Sequence, residues 1–396
     1  MTDITRLKII SLLKGAYFHI PIFTLYFLNH GVGLREIVFA QLFFSLSAFI
    51  GEIPTGFFAD KYGQKVSIAA GYIIDIIPNV LMVLSPTTIS LYIAYLLRGL
   101  VSSFQSGSEE ALFYENLKRA EVQERKKEFS TFFSNETLGF VTATFIAGVI
   151  FQQFGAASYR PLFMATVVST GIAAVLALQL KNIHAEIEDE EKSKKLLHAV
   201  KESWKLILNN KVVLSLALVL LLTLNGEYFI QAVYQPYFEK AGVTPFFIGS
   251  VLSFGALLNY VVKKNVYRLE KYFRLDAVLL GINILMGIIY IVMGFIVHPI
   301  VLVLLYIILQ GVFNSELPLI SDYINEHTRS HIRSTVLSSI SFSRQLAKFF
   351  MRIIFGILVG VIGVGYSFVA QGIYLIIGVG IAFWIVRKMM YKKTVY

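Results

Sequence analysis

Apolar runs of roughly 18–25 residues, each long enough to cross ~30 Å of hydrocarbon as a helix, recur from one end of the chain to the other. They predict helices near 8–30, 36–59, 67–85, 90–115, 130–154 and 159–181, then 212–238, 243–264, 274–297, 299–325, 334–361 and 365–390. Short links such as Ser85-Pro86-Thr87-Thr88 and His298-Pro299 make neighbouring helices antiparallel. One long polar segment, 182–211, interrupts the series. It opens acidic, with Glu186, Glu188, Asp189, Glu190 and Glu191, and turns basic and amphipathic toward Lys211, with Trp204 on the apolar side. An interfacial helix linking two halves is expected there, flanked by a six-helix bundle over 1–181 and a second over 212–396. The expected fold class is therefore an all-α integral membrane protein of about twelve spans.

Composition agrees. The chain is 56% hydrophobic and only 15% charged, with a mean hydropathy of +0.68. A soluble domain carries roughly a quarter charged residues and cannot bury this much apolar surface. The net charge of +10 would suggest nucleic acid in a soluble protein. Here most of the 35 Lys and Arg stand in alternate links, so orientation accounts for them: N- and C-termini inside. Lys118, Arg119, Arg125, Lys126 and Lys127 form one cluster, and Lys263, Lys264, Arg268, Lys271 and Arg274 another. No Cys is present, which removes disulfides, thiolate metal sites and a Cys nucleophile. The first span starts almost at once behind Arg6, Lys8 and Lys14, without the small-residue cleavage pattern of a signal peptide.

The two halves echo one another. Asp60-Lys61-Tyr62-Gly63, between helices 2 and 3, is matched 210 residues later by Glu270-Lys271-Tyr272-Phe273, between helices 8 and 9. Leu97-Arg98-Gly99 is matched at a similar offset by Leu309-Gln310-Gly311, and Glu110 by Asp322. Equivalent loops and helices at one spacing are what a duplicated six-helix unit leaves.

The segment Gly56-Phe57-Phe58-Ala59-Asp60-Lys61-Tyr62-Gly63-Gln64-Lys65 resembles the loop signature of the major facilitator superfamily, departing only at Gln64, where that pattern has a base. Arg98 followed by Gly99, Ser102, Ser103, Ser106 and Gly107 is similar to that family's fourth-helix Arg motif, and Arg333-Ser334-Thr335-Val336-Leu337-Ser338 opens helix 11 in a familiar way. The fifth helix holds Gly139 and Gly148 but no following Pro, so the Gly-Pro antiporter motif is missing. The resemblance implies two rocking bundles with helices 3, 6, 9 and 12 outside a central cavity. It also implies a gating role for Gly56, Asp60, Lys61, Gly63 and Lys65. In physical terms, Gly56 would allow close helix packing and Gly63 a tight turn. Asp60 would face the positive N-terminal end of helix 11 near Ser334 and Thr335. The alternative is that Lys61 and Lys65 are only topology signals.

Ionisable side chains at membrane depth cost ~2.5–3.5 kcal/mol or more and normally face an interior or aqueous path. Arg98 and Gln105 share a helix-4 face with Ser102 and Glu109. The resemblance implies a part for Arg98 in proton coupling or substrate contact, the alternative being an ion pair with a neighbouring acid, whereas Glu109, Glu110 and Glu115 fall near the helix end and are expected to be solvated. Arg344, Lys348 and Arg352 form an i, i+4, i+8 ladder on helix 11. The ladder either pairs with acids such as Glu227 and Glu316, favouring a neutral or cationic substrate, or lines a cavity and attracts an anion. Glu227 is the leading carboxylate to take up and release a proton, because burial favours the neutral acid; a structural carboxylate is the alternative. Asp75, Glu52 and Glu136 rank behind it, and Asp75 is expected to pair within its own half. His19 either titrates near neutral pH or serves as a hydrogen-bonding core residue. Tyr17, Phe18, Phe23, Tyr26 and Phe27 read mainly as packing.

The sequence thus predicts a secondary transporter with protons and a small molecule as partners, no cofactor, no metal and no nucleic acid. It is expected to be a monomer in a bacterial plasma membrane, not an enzyme. Proton-driven export of an amphipathic molecule leads; uptake by symport or export of an anionic metabolite is the rival. A flippase, sensor or lipid enzyme is the reading from another class, though no His-Glu-x-x-His, Gly-x-Ser-x-Gly or Gly-x-x-x-x-Gly-Lys motif occurs.

Overall fold

The computed structural model describes residues 2–105, 108–123, 125–181, 214, 222–224, 226–315, 319 and 333–390. The predicted link 182–211 and Glu316 lie outside them. All regular structure among the described residues is helical. In lipid this follows from the backbone, whose N–H and C=O groups must be satisfied within the segment. Seven of the described segments are long and apolar enough to cross a membrane. Large apolar side chains stand on their outer faces, Leu84 and Ile89 among the most exposed.

The chain forms two compact units, one holding the described residues up to Lys181 together with Ala232–Phe254, the other the described residues of 188–231 and those from Gly255 onward. In chain order the helices are α1 Asp3–Gly15, α2 Phe23–Asn29, α3 Leu34–Tyr62, α4 Gln64–Leu84, α5 Thr88–Gln105, α6 Ser108–Arg119, α7 Arg125–Phe154 and α8 Tyr159–Leu178. They continue as α9 Glu227–Lys240, α10 Pro245–Asn265, α11 Leu275–Phe295, α12 Pro299–Val312 and α13 Arg333–Met390. α13 bends at Gly363 (φ 80°), where the sequence predicts the gap between two spans.

In the first unit α3 packs on α5, α4 on α5 and α8, and α1 on α7 and α8. Leu7, Ile10, Tyr72, Leu112, Phe113 and Phe132 close one end of its core. Without a solvent-driven hydrophobic force between helices in lipid, small residues bring backbones together. A Cβ on Gly139 would overlap the Leu12 carbonyl, and one on Gly249 of α10 would overlap the Cα of Gly148 in α7. Beside that contact Thr144 and Ser253 hydroxyls lie 2.5 Å apart. In the second unit α11 lies along α13, and Phe229 stacks on Phe355 at 4.6 Å.

Three predicted spans are interrupted rather than continuous. Helix 1 begins earlier than expected, at Asp3, and breaks after Gly15; a 3-10 turn, Ile20–Ile22, leads into α2. Pro21 there has no N–H and its ring opposes the carbonyl four residues back, so α-helix cannot run through. Helix 7 does not run unbroken from 212 to 238. Thr223 is a turn and Gly226 has φ +78°, so α9 starts afresh at Glu227. Helix 10 stops at Val312 instead of 325, and Asn314 takes a left-handed backbone (φ 56°).

Polar side chains serve the backbone freed at each break. Ser169 Oγ donates to the Leu13 carbonyl at 3.1 Å. Gln235 Nε2 donates to the Ile20 carbonyl at 2.8 Å, while its Oε1 accepts the Thr24 N–H at 2.8 Å. Gln371 Nε2 donates to the Leu224 carbonyl at 2.7 Å. Asn259 Nδ2 donates to the carbonyls of Gln310, Gly311 and Phe313 at 3.1, 3.0 and 2.9 Å. Ala16 and Gly226 are 210 residues apart, the same spacing as the Lys61/Lys271 echo.

Candidate functional site

The break in helix 1 turns Tyr17 and His19 away from regular helical register, toward α4, α5 and α8. Arg98 of α5 reaches them. Its Nη2 donates to Asn79 Oδ1 at 2.7 Å and lies 2.9 Å from His19 Nε2, and its guanidinium sits 5.3 Å from the centre of the Tyr17 ring. A guanidinium can only donate, so His19 Nε2 accepts and the ring is neutral, with its proton on Nδ1 facing the Thr166 hydroxyl at 3.0 Å. His19 also stacks on Phe163 at 4.6 Å. The Tyr17 hydroxyl donates to Asp75 Oδ2 at 3.0 Å, and Asn79 Nδ2 donates to the Asp75 carbonyl at 2.7 Å. Of the two readings of Arg98, an ion pair with a neighbouring acid does not form among the described residues; its partners are neutral. Asp75 does pair within its own half, through Tyr17. Phe23, Tyr26 and Phe27 are buried ring-on-ring with Tyr95 and Phe163, as packing.

A second cluster joins α1, α4, α6 and α7. Lys14 Nζ stands 3.0 Å from Glu109 Oε2 and 3.9 Å from Glu136 Oε2, and the Tyr72 hydroxyl donates to Glu109 Oε1 at 2.8 Å. Glu109 is only 3% exposed. The expectation that it is solvated is therefore corrected: a Lys and a Tyr take it out of water. Lys14, read as a flanking charge, belongs inside the unit. Gln105, on the face shared with Arg98, is buried with no partner for its Nε2 among the described residues.

In the second unit Glu227 opens α9 directly after the break. Its Oε2 accepts from Asn314 Nδ2 at 2.8 Å and lies 4.0 Å from Lys348 Nζ. Arg344 Nη2 donates to Asn314 Oδ1 at 3.1 Å. Two rungs of the helix-11 ladder thus meet an acid of the same half, Arg344 through Asn314. Asn314 reaches this place because helix 10 ends before it.

At the loop signature, Gly63 (φ 93°, ψ 150°) is the single residue between α3 and α4, a conformation that suits glycine. A Cβ on Gly56 would meet no neighbour within 4 Å among the described residues. Lys61 is exposed and Lys65 half-buried. The side chains of Asp60, Glu52, Ser334 and Thr335 lie outside the described set.

Tyr17, which reads as packing in the sequence, and Asn79, Thr166 and Asn314, which sequence reasoning missed, are all uncharged. Asn79 alone carried a signal, being one turn beyond Asp75 in an apolar run.

Comparison with known proteins adds three findings. A family model described as "Major Facilitator Superfamily" matches residues 12–265. The uncharacterized MFS-type transporter YxaM of Bacillus subtilis (strain 168) is 21% identical over 377 residues, 93% of this chain and 92% of that one. Among solved structures, the nucleoside transporter NupG superposes with a TM-score of 0.75 at 13% identity, covering 100% of both chains. A D-xylose–proton symporter superposes with 0.69 at 14%, covering 96% of each.

Proposed function

This chain belongs to the major facilitator superfamily, and from that premise we propose that it is a proton-coupled exporter of a small amphipathic molecule. As a member it is a multi-pass membrane protein and a secondary transporter. The finer reading is that two six-helix halves, 1–181 and 212–396 joined by 182–211, make up twelve spans and expose a binding site alternately to either side. Both termini lie inside a bacterial plasma membrane, and the protein acts as a monomer without cofactor.

The observation that carries this is the placement of one ionisable cluster at each of two interrupted helices, 210 residues apart. Arg98 with His19 marks the first break, Glu227 with Arg344 and Lys348 the second. Interrupted helices at corresponding positions of two repeats are where transporters of this architecture bind substrate and coupling ion. The engagement of Lys348 by Glu227 favours a neutral or cationic substrate over an anion. Asp60, Lys61, Gly63 and Lys65 form the gating loop.

The test is substrate-dependent dissipation of an imposed proton gradient in proteoliposomes, screened with cationic, neutral and anionic amphipaths. Dissipation by a cationic or neutral compound is the expected result. Transport that leaves the gradient untouched removes proton coupling. Uptake by symport is the second reading; the absence of a Pro after Gly148 favours it, and the sign of substrate movement down the proton gradient separates the two.

A further inference from the structure

Asp75 of α4 is 1% exposed, deep in the first unit. Among the described residues its Oδ2 has one hydrogen bond, with the Tyr17 hydroxyl, and its Oδ1 is buried with no partner. No Lys or Arg nitrogen comes within 4.0 Å of it among the described residues. The opposite charge that acts on it is Arg98, which is held instead by Asn79 and His19, with its own Nε buried and unpartnered. A carboxylate so placed lacks both the counter-ion and the donors that an ionised acid needs in a low dielectric, whereas a neutral acid can turn the same contact round, its Oδ2–H donating to the Tyr17 oxygen, and leaves only one carbonyl oxygen unmet.

We propose that Asp75 carries the coupling proton in this conformation. The sequence points to Glu227 for that task, but Glu227 has the Lys348 ammonium 4.0 Å away and accepts from the Asn314 amide, partners that Asp75 does not have. Release of the proton from Asp75 to water leaves a carboxylate whose Oδ1 draws the Arg98 guanidinium. Arg98 then gives up its donation to His19 Nε2, and the imidazole becomes able to accept a hydrogen bond from a substrate. Among the described residues, the groups that act on Asp75 are Tyr17 from helix 1 and Arg98 from α5. Beyond them, α8 offers Thr166 to His19, α6 the carboxyl of Glu109 through Tyr72, and α7 Glu136 beyond Tyr17. The described charged side chains of α3, Arg35, Glu36 and Lys61, sit at its ends.

The proposal rests on the coupled-transport reading, and its test does not depend on transport. Infrared spectra of the full chain in lipid vesicles report protonated carboxyl groups through their carbonyl stretch and its shift in heavy water. Wild type at neutral pH should show such a band, Asp75→Asn should lose one component of it, and raising the pH should remove the same component. An unchanged band in Asp75→Asn overturns the proposal. If that variant fails to fold, Tyr17→Phe serves: loss of the hydroxyl contact should shift the frequency of that component, and no shift overturns it. Transport failing while the band behaves as stated counts against the transporter reading, not against Asp75.

Discussion

Arg98→Lys is the sharpest change available at a single residue. A guanidinium presents several donors in a fixed plane, and here one nitrogen serves Asn79 and His19 together. An ammonium cannot hold both while stacking on Tyr17. A charge-assisted hydrogen bond is worth ~1.5–3 kcal/mol, so transport in proteoliposomes should fall by roughly 10- to 100-fold while the protein still folds. Glu227→Gln removes the carboxylate that meets Lys348 and Asn314 and should slow transport while leaving its pH profile in place; loss of proton-driven accumulation in that variant would return the coupling role to Glu227. Charged residues were legible in sequence because each is expensive in lipid, and Arg98, Glu136, Glu227, Arg344 and Lys348 are all found in polar contacts. Their neutral partners were not, since Tyr17 and Asn314 cost little enough to occur for packing alone. Glu109 was misjudged because distance along a helix says nothing about which neighbour covers its end.

At the scale of elements, the breaks decide more than the spans do. Gln235 joins α9 to the interrupted first helix by serving two groups of its backbone. Gln235→Leu leaves those groups unmet at ~1–3 kcal/mol each, and the thermal midpoint of the purified protein should drop accordingly. Gly249→Leu should cost about 1–3 kcal/mol or more through overpacking against Gly148, read in the same melting experiment. Leu285→Val, on an exposed apolar face, should change little. Spans such as α4, α8, α10 and α11 were readable to within a few residues from hydropathy alone. The interruptions were not, because an apolar window averages across four or five irregular residues. The amides that make them affordable come from helices far off in sequence.

For the molecule as a whole, the repeat was the most informative feature. The 210-residue spacing found in two short loops also separates the breaks at Ala16 and Gly226, which no motif had suggested. It supports the proposed construction from two related halves. Asp60→Asn should therefore impair transport with little loss of expression; turnover equal to wild type sinks the gating role of the loop. Labelling of single cysteines introduced into this Cys-free chain, at Thr87 and at Lys65, should place the two on opposite sides of the membrane, with Lys65 inside.

Gly63 leaves the chain no slack between α3 and α4. Two long rods clipped end to end through one residue cannot slide past each other by a helical turn without tearing the clip. They can only pivot about it. An inserted epitope at this junction would grant exactly that forbidden sliding, so it should uncouple the pair even if both rods remain intact.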